Sequence, residues 1–126
     1  MTTNEKHKIL IADDHPLIHK LYSNMLRNIG YEVLNAYDGL EAIMLCIEHQ
    51  PSLIILDISM PKADGRDICE RLKEFSETKH IKILILSGRD QEHDRRQALE
   101  LGADEYISKP CEVSFLQHTV MKMLAK

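Results

Sequence analysis

Three short stretches, KILIAD (8–13), LIILD (53–57) and IKILILS (81–87), are apolar almost without a break. A strand wetted on one face alternates apolar and polar residues, whereas a near-continuous run suits a parallel strand covered on both faces. Two further stretches, EVLNA (32–36) and DEYIS (104–108), are mixed in character and suit the edges of the same sheet. Parallel neighbours cannot be joined by a tight turn and need a crossover, usually a helix. The segments between the runs therefore have to be helical.

They read that way. Ile18, Leu21, Tyr22, Met25, Leu26 and Ile29 form a 3-4 stripe, with Pro16 near its first position and Gly30 just past its end. Leu40, Ile43, Met44 and Ile47 form a second stripe that stops before Pro51. Ile68, Leu72 and Phe75 make a shorter third, and Val113, Leu116, Val120, Met123 and Leu124 make the last. The fourth helix is weak. Its leading turns, DQEHDRRQ (90–97), hold no apolar residue, which leaves Ala98, Leu99 and Leu101 as anchors before Gly102. Such a helix is expected to be loosely held at its start. Five strands alternating with five helices predict an α/β domain with a parallel sheet and right-handed crossovers. Residues 1–6 read as an unattached lead, and 7–126 as one domain.

Composition narrows the function classes. The chain has 126 residues and a net charge of −4, without a Lys/Arg stripe, so direct nucleic-acid binding is not expected. No stretch approaches the roughly 20 apolar residues of a membrane span, which makes the cytoplasm the default compartment. Cys46, Cys69 and Cys111 are far apart and form no CxxC, and they read as reduced, mostly buried thiols rather than a disulfide framework or zinc site.

Ligands of a parallel sheet bind outside the carboxyl ends of its strands. Those ends carry Asp13 and Asp14, Asp57, Ser87 and, just past the fifth strand, Lys109. Each has a bland role open to it: a helix cap, a turn, a solvated lysine. Together at one edge they mark a functional site. Two carboxylates about 5 Å apart repel by about 3 kcal/mol at an effective dielectric near 20. Three in one crevice need a cation, and an all-oxygen donor set suggests Mg²⁺. A carboxylate beside such an ion, with a lysine and a hydroxyl nearby, can accept a phosphoryl group.

The segments ILIADDHP, LIILDISMPKADG, ILILSGR and GADEYISKP, in this order and spacing, resemble the receiver domain of two-component response regulators over about residues 7 to 125. The resemblance implies a flavodoxin-like (βα)5 fold with strand order 2-1-3-4-5. It makes Asp57 the phosphoacceptor, served by a histidine kinase or histidine phosphotransfer protein. Asp14 would ligate Mg²⁺ (or Mn²⁺) directly, Asp13 largely through water, and the backbone carbonyl of Ser59 would complete the protein's share. Lys109 and Ser87 would contact phosphoryl oxygens, Tyr106 would turn inward when Ser87 moves, and Lys109-Pro110 would be a cis peptide. Arg89, two residues past Ser87, would fringe the pocket and modulate phosphoryl lifetime. The output face would be helix four, strand five and helix five, meeting a downstream protein, an output domain or a second copy in a homodimer. Departures from the family pattern are Ser87 where Thr is commoner, Cys111 for a frequent Phe, and His118-Thr119 where DNA-binding members that dimerise through this face usually have Arg.

Rival readings are weaker. A flavodoxin-type electron carrier would need a Thr/Ser/Gly-rich loop after strand one, where DDHPLIH stands. A Mg²⁺-dependent aspartyl phosphatase would want a second aspartate two residues after its nucleophile, at the place of Ser59. His15 and His19, four apart on one helix and without a further ligand, read as polar surface residues. Open alternatives for context are a stand-alone regulator and a receiver within a hybrid kinase or multidomain regulator.

Overall fold

The computed structural model describes residues 7–58, 65–88, 92–109 and 111–125. Its elements alternate as β1 (Lys8–Ala12), α1 (Pro16–Asn28), β2 (Glu32–Ala36), α2 (Gly39–His49) and β3 (Leu53–Asp57). They continue as α3 (Gly65–Glu74), β4 (Lys82–Ser87), α4 (Glu92–Glu100), β5 (Glu105–Ser108) and α5 (Val113–Leu124). The strands form one parallel sheet in the order β2-β1-β3-β4-β5, with the two mixed strands at its edges.

Side chains alternate across a strand, and the alternation splits the core in two. Ile9, Ile11, Leu53, Ile55, Leu84, Leu86 and Ile107 pack with Tyr22, Met25 and Leu26 of α1 and Leu116 and Val120 of α5. Leu10, Ile54, Leu56, Ile83, Ile85 and Tyr106 pack with Ala42 and Cys46 of α2, Ile68 and Leu72 of α3 and Ala98 of α4. Each such Ile or Leu contributes about 1.5–3 kcal/mol on burial. The central strands β1, β3 and β4 supply most of these residues, so the edge that carries the polar loops is rigid.

Local signals mark most of the helix ends. Pro16 opens α1, and Gly30 closes it at φ +101, its N–H donating to the Arg27 carbonyl at 3.0 Å. This is the left-handed turn that glycine adopts without a Cβ penalty. Asp38 caps α2 by accepting from the Glu41 N–H at 2.9 Å, while Glu41 Oε1 accepts from the Tyr37 N–H at 2.8 Å.

Four expectations about burial need correction. On α2 the inward residues are Ala42, Ile43 and Cys46, whereas Leu40, Met44 and Ile47 are exposed. That helix is apolar nearly all round, and its small side chains face inward, closest to the sheet. Phe75 lies past the end of α3 and is exposed. Leu99 is also exposed, leaving Ala98 and Leu101 as the apolar anchors of α4. On α1, Leu21 is half-exposed, while the polar His19 and Ser23 are buried. Among the described residues, no helix is long and apolar enough to cross a membrane.

Candidate functional site

The loops after β1 and β5, with the ends of β3 and β4, meet at one edge of the sheet. Asp57 closes β3 opposite Leu86, and the next residue, Ile58, still donates its N–H to the Leu86 carbonyl at 3.1 Å. The aspartate is thus held on backbone that is bonded on both sides of it. Asp57 and Asp13 are each only 2% exposed. Unpaired carboxylates at that depth are costly. Lys109 Nζ answers both, standing 3.5 Å from Asp13 Oδ2 and 3.6 Å from Asp57 Oδ2. These are ion pairs rather than hydrogen bonds.

Ligand atoms of Asp13, Asp14, His15 and Asp57 all lie within 4.8 Å of one another. Asp13 Oδ1 accepts from the His15 backbone N–H at 2.9 Å, a local turn just ahead of α1. His15 Nδ1 stands 3.1 Å from the same oxygen and 3.2 Å from Asp14 Oδ1. The hydrogen bond to Asp13, then the charges of Asp14 and Asp13, raise the His15 pKa above its ordinary value. Asp14 Oδ1 is buried and, despite that ion-pair contact, has no hydrogen-bond partner. An oxygen-rich cluster with an unsatisfied buried carboxylate oxygen fits a hard divalent cation. Tyr22 of α1 walls this side. Burial first, then the charges of Cys111, Asp13 and Asp57, pushes its hydroxyl up to about 12, so it stays neutral.

Ser87 is fully buried at the end of β4, and its carbonyl accepts from the Lys109 N–H at 2.6 Å. Alternation puts Ser87 on the face of Ile83 and Ile85, and Ile85 is the register partner of Tyr106. Ser87 and Tyr106 therefore share the face that α4 covers. The Tyr106 ring, expected to turn inward on switching, is already 5% exposed here. Its carbonyl accepts from Arg95 Nη1 of α4 at 3.4 Å.

Of the residues expected at the site, Asp13 and Asp57 each pair with Lys109, Asp14 lies within 4.8 Å of both carboxylates, and Ser87 joins through the Lys109 backbone. Ser59, Arg89 and the Lys109-Pro110 peptide lie outside the described residues. Of the two histidines read as polar surface residues, one lies at the surface and one does not. His15 is exposed but belongs to the acidic cluster, and His19 is buried. A signal for His19 was present, because positions 19, 22 and 26 follow the i, i+3, i+7 spacing of one helix face.

The model of the response regulator receiver domain family matches residues 9–121. The chain is 39% identical over 119 residues to the DNA-binding dual master transcriptional regulator RpaA of Synechocystis, a match spanning 94% of this chain and 49% of that protein. It is 37% identical over 124 residues to histidine kinase P4 of Formosa agariphila, covering 98% of this chain and 9% of the kinase. The chain thus spans about half the length of the regulators it matches, and far less of the kinase. The fold is similar to that of Vibrio cholerae chemotaxis protein CheY4, with a TM-score of 0.90, 28% identity, and coverage of 95% of this chain and 100% of that one.

Proposed function

The chain belongs to the family of response regulator receiver domains, and from that premise we propose that it is a switch driven by phosphorylation of Asp57. The observation that carries the reading is the placement of Lys109 Nζ between Asp13 Oδ2 and Asp57 Oδ2, beside Asp14. Two carboxylates and a lysine at the end of a rigid strand suit a nucleophile whose product is an anion.

In the proposed step an Asp57 carboxylate oxygen attacks the phosphorus of a phosphohistidine on a histidine kinase or phosphotransfer protein. The P–O bond forms as the P–N bond breaks, and the departing imidazole takes up a proton. Asp13, Asp14, Asp57 and the Ser59 carbonyl would hold Mg²⁺, with Mn²⁺ as a substitute. When bound, the ion offsets negative charge on the transferring group and on the carboxylates. Lys109 supplies a fixed positive charge to phosphoryl oxygens, the Ser87 hydroxyl donates to one of them, and Arg89 tunes access of water. Tyr106 and the α4–β5–α5 face carry the change outward. A groove of about 520 Å³ on that face, between Arg95, Tyr106, Cys111, Glu112 and Phe115, suits a protein partner, an output domain or a second copy. The chain's net charge of −4 and its acidic cluster assign no DNA contact to it. RpaA, a DNA-binding regulator by name, extends well beyond the 49% of its length that this chain matches.

Incubation with Mg²⁺ and acetyl phosphate tests the reading. One acid-stable, alkali-labile phosphoryl group is expected by intact mass in the wild type and none in Asp57→Asn. Equal modification of both proteins would refute it. A second reading differs in context alone: the match within histidine kinase P4 makes a receiver inside a hybrid kinase the alternative setting.

A further inference from the structure

Beneath the acidic loop lies a buried histidine that the proposed phosphoryl chemistry does not use. His19, in the first turn of α1, is 3% exposed. Its Nε2 lies 2.6 Å from the backbone carbonyl oxygen of Asp13. A carbonyl only accepts, so Nε2 carries the proton and donates. Its Nδ1 lies 2.5 Å from Oδ1 of Asn35 on β2, which also accepts from Ser23 Oγ at 3.4 Å. The Asn35 amide turned end for end presents Nδ2 to Nδ1 and leaves the ring proton on Nε2 for the Asp13 carbonyl. The ring packs on Tyr37 with centroids 4.1 Å apart. Three residues thus fix one imidazole, and the imidazole fixes one carbonyl.

That carbonyl is a lever. The Asp13–Asp14 peptide is planar, so holding its oxygen also orients its N–H and the Cα from which the Asp14 carboxylate departs. On the other side of Asp13, its N–H donates to the Ala36 carbonyl at 3.1 Å. Asp13 also has a side-chain bond to the His15 N–H. Asp14 has less support, since its buried Oδ1 has no hydrogen bond and only the exposed His15 ring beside it at 3.2 Å. Its direction rests mainly on the backbone.

We propose that His19 is a positioning residue for the metal site: its Nε2–H bond to the Asp13 carbonyl holds the peptide plane that aims Asp14 at the cation. The inference rests on the metal-dependent reading above and adds a residue to it. A packing role alone would need only an apolar body of similar volume at position 19. The positioning role needs a donor at the reach of Nε2.

Titration of Mg²⁺ by calorimetry, with metal-free melting curves as a folding control, separates the two. A glutamine amide nitrogen mimics Nε2, whereas an asparagine amide stops at the place of Nδ1. His19→Gln is expected to stay within about twofold of wild type, and His19→Asn and His19→Leu to bind about tenfold more weakly, as loss of an outer-shell partner does. His19→Leu binding as tightly as wild type would overturn the positioning role and leave the receiver reading standing. Wild type blind to Mg²⁺ would overturn the metal reading itself, and this inference with it. A wild-type measurement guards against variants that fail to fold. Ring ¹⁵N shifts at neutral pH are expected to show Nε2 protonated and moving on addition of Mg²⁺, and a ring protonated on Nδ1 alone would refute the proposal.

Discussion

At the scale of single residues, charge and burial make opposing demands on Asp13. It repels Asp14 and Asp57 by about 3 kcal/mol each at separations near 5 Å, and it attracts Lys109 by about 5 kcal/mol at 3.5 Å, for an effective dielectric near 20. With His15 neutral, above its raised pKa, the two repulsions outweigh the Lys109 attraction. Asp13→Asn is therefore expected to melt a few degrees higher than wild type in EDTA and to bind Mg²⁺ more weakly, read by thermal shift with and without the ion. A lower metal-free melting temperature would mean that the Lys109 pair dominates. The cysteines give a second residue-scale prediction. Burial pushes Cys46 up to about 12 and Cys69 to about 11, while Cys111 is raised too but only partly buried. Thiolates are the reactive form. At pH 8 an alkylating agent is expected to label Cys111 slowly, and Cys46 and Cys69 only after denaturation, as peptide mass mapping would show.

At the scale of elements, the strands were legible because a continuous apolar run has one stable home, a sheet covered on both faces. All five fall within a residue of the expected spans, and the mixed pair lies at the edges. The acidic edge was legible for the same reason, since strand ends are where buried runs stop. Helix faces were less so. On α2 almost every position is apolar, so periodicity could not say which side packs, and Ala42 and Cys46 took the inside by being small. The helix-face spacing of His19 was legible, but its partners, Asn35 and the Asp13 carbonyl, are ones that only the fold brings near. The scarcity of apolar anchors on α4 was legible, but not the polar contacts that accompany them. Arg66 of α3 donates to Gln97 Oε1 at 2.7 Å, and Arg95 donates to the Tyr106 carbonyl. A partly exposed hydrogen bond of that kind contributes about 1 kcal/mol. Arg66→Ala is expected to speed amide exchange in residues 95–100 several-fold with Asp57 still reactive. Unchanged exchange there would mean that Ala98 and Leu101 hold the helix alone.

At the scale of the whole molecule, the question is how the proposed phosphorylation of Asp57 would reach α4, β5 and α5. Tyr106 is already buried, so the response need not begin with a ring leaving solvent. The bonded route is the backbone: Lys109 donates its N–H to the Ser87 carbonyl, and Ser87 lies on the same sheet face as Tyr106. A Ser87 that moves to donate to a phosphoryl oxygen pulls on the start of the β5–α5 connection. It also alters the space beside Tyr106, whose carbonyl is tied to α4 through Arg95. A small shift at one end of a packed core is carried as a rearrangement between discrete arrangements rather than absorbed. Beryllofluoride, with Mg²⁺, mimics the phosphoryl group without turnover. It is expected to change amide exchange at Ser87 and in residues 95–101 and 104–118, with α2 unaffected. Ser87→Ala is expected to bind beryllofluoride at Asp57 and keep the distant exchange at its unliganded rate, because the carboxylate survives and the moving hydroxyl is gone. Protection confined to the Asp57 pocket in the wild type, or distant changes that persist in Ser87→Ala, would remove Ser87 from the route.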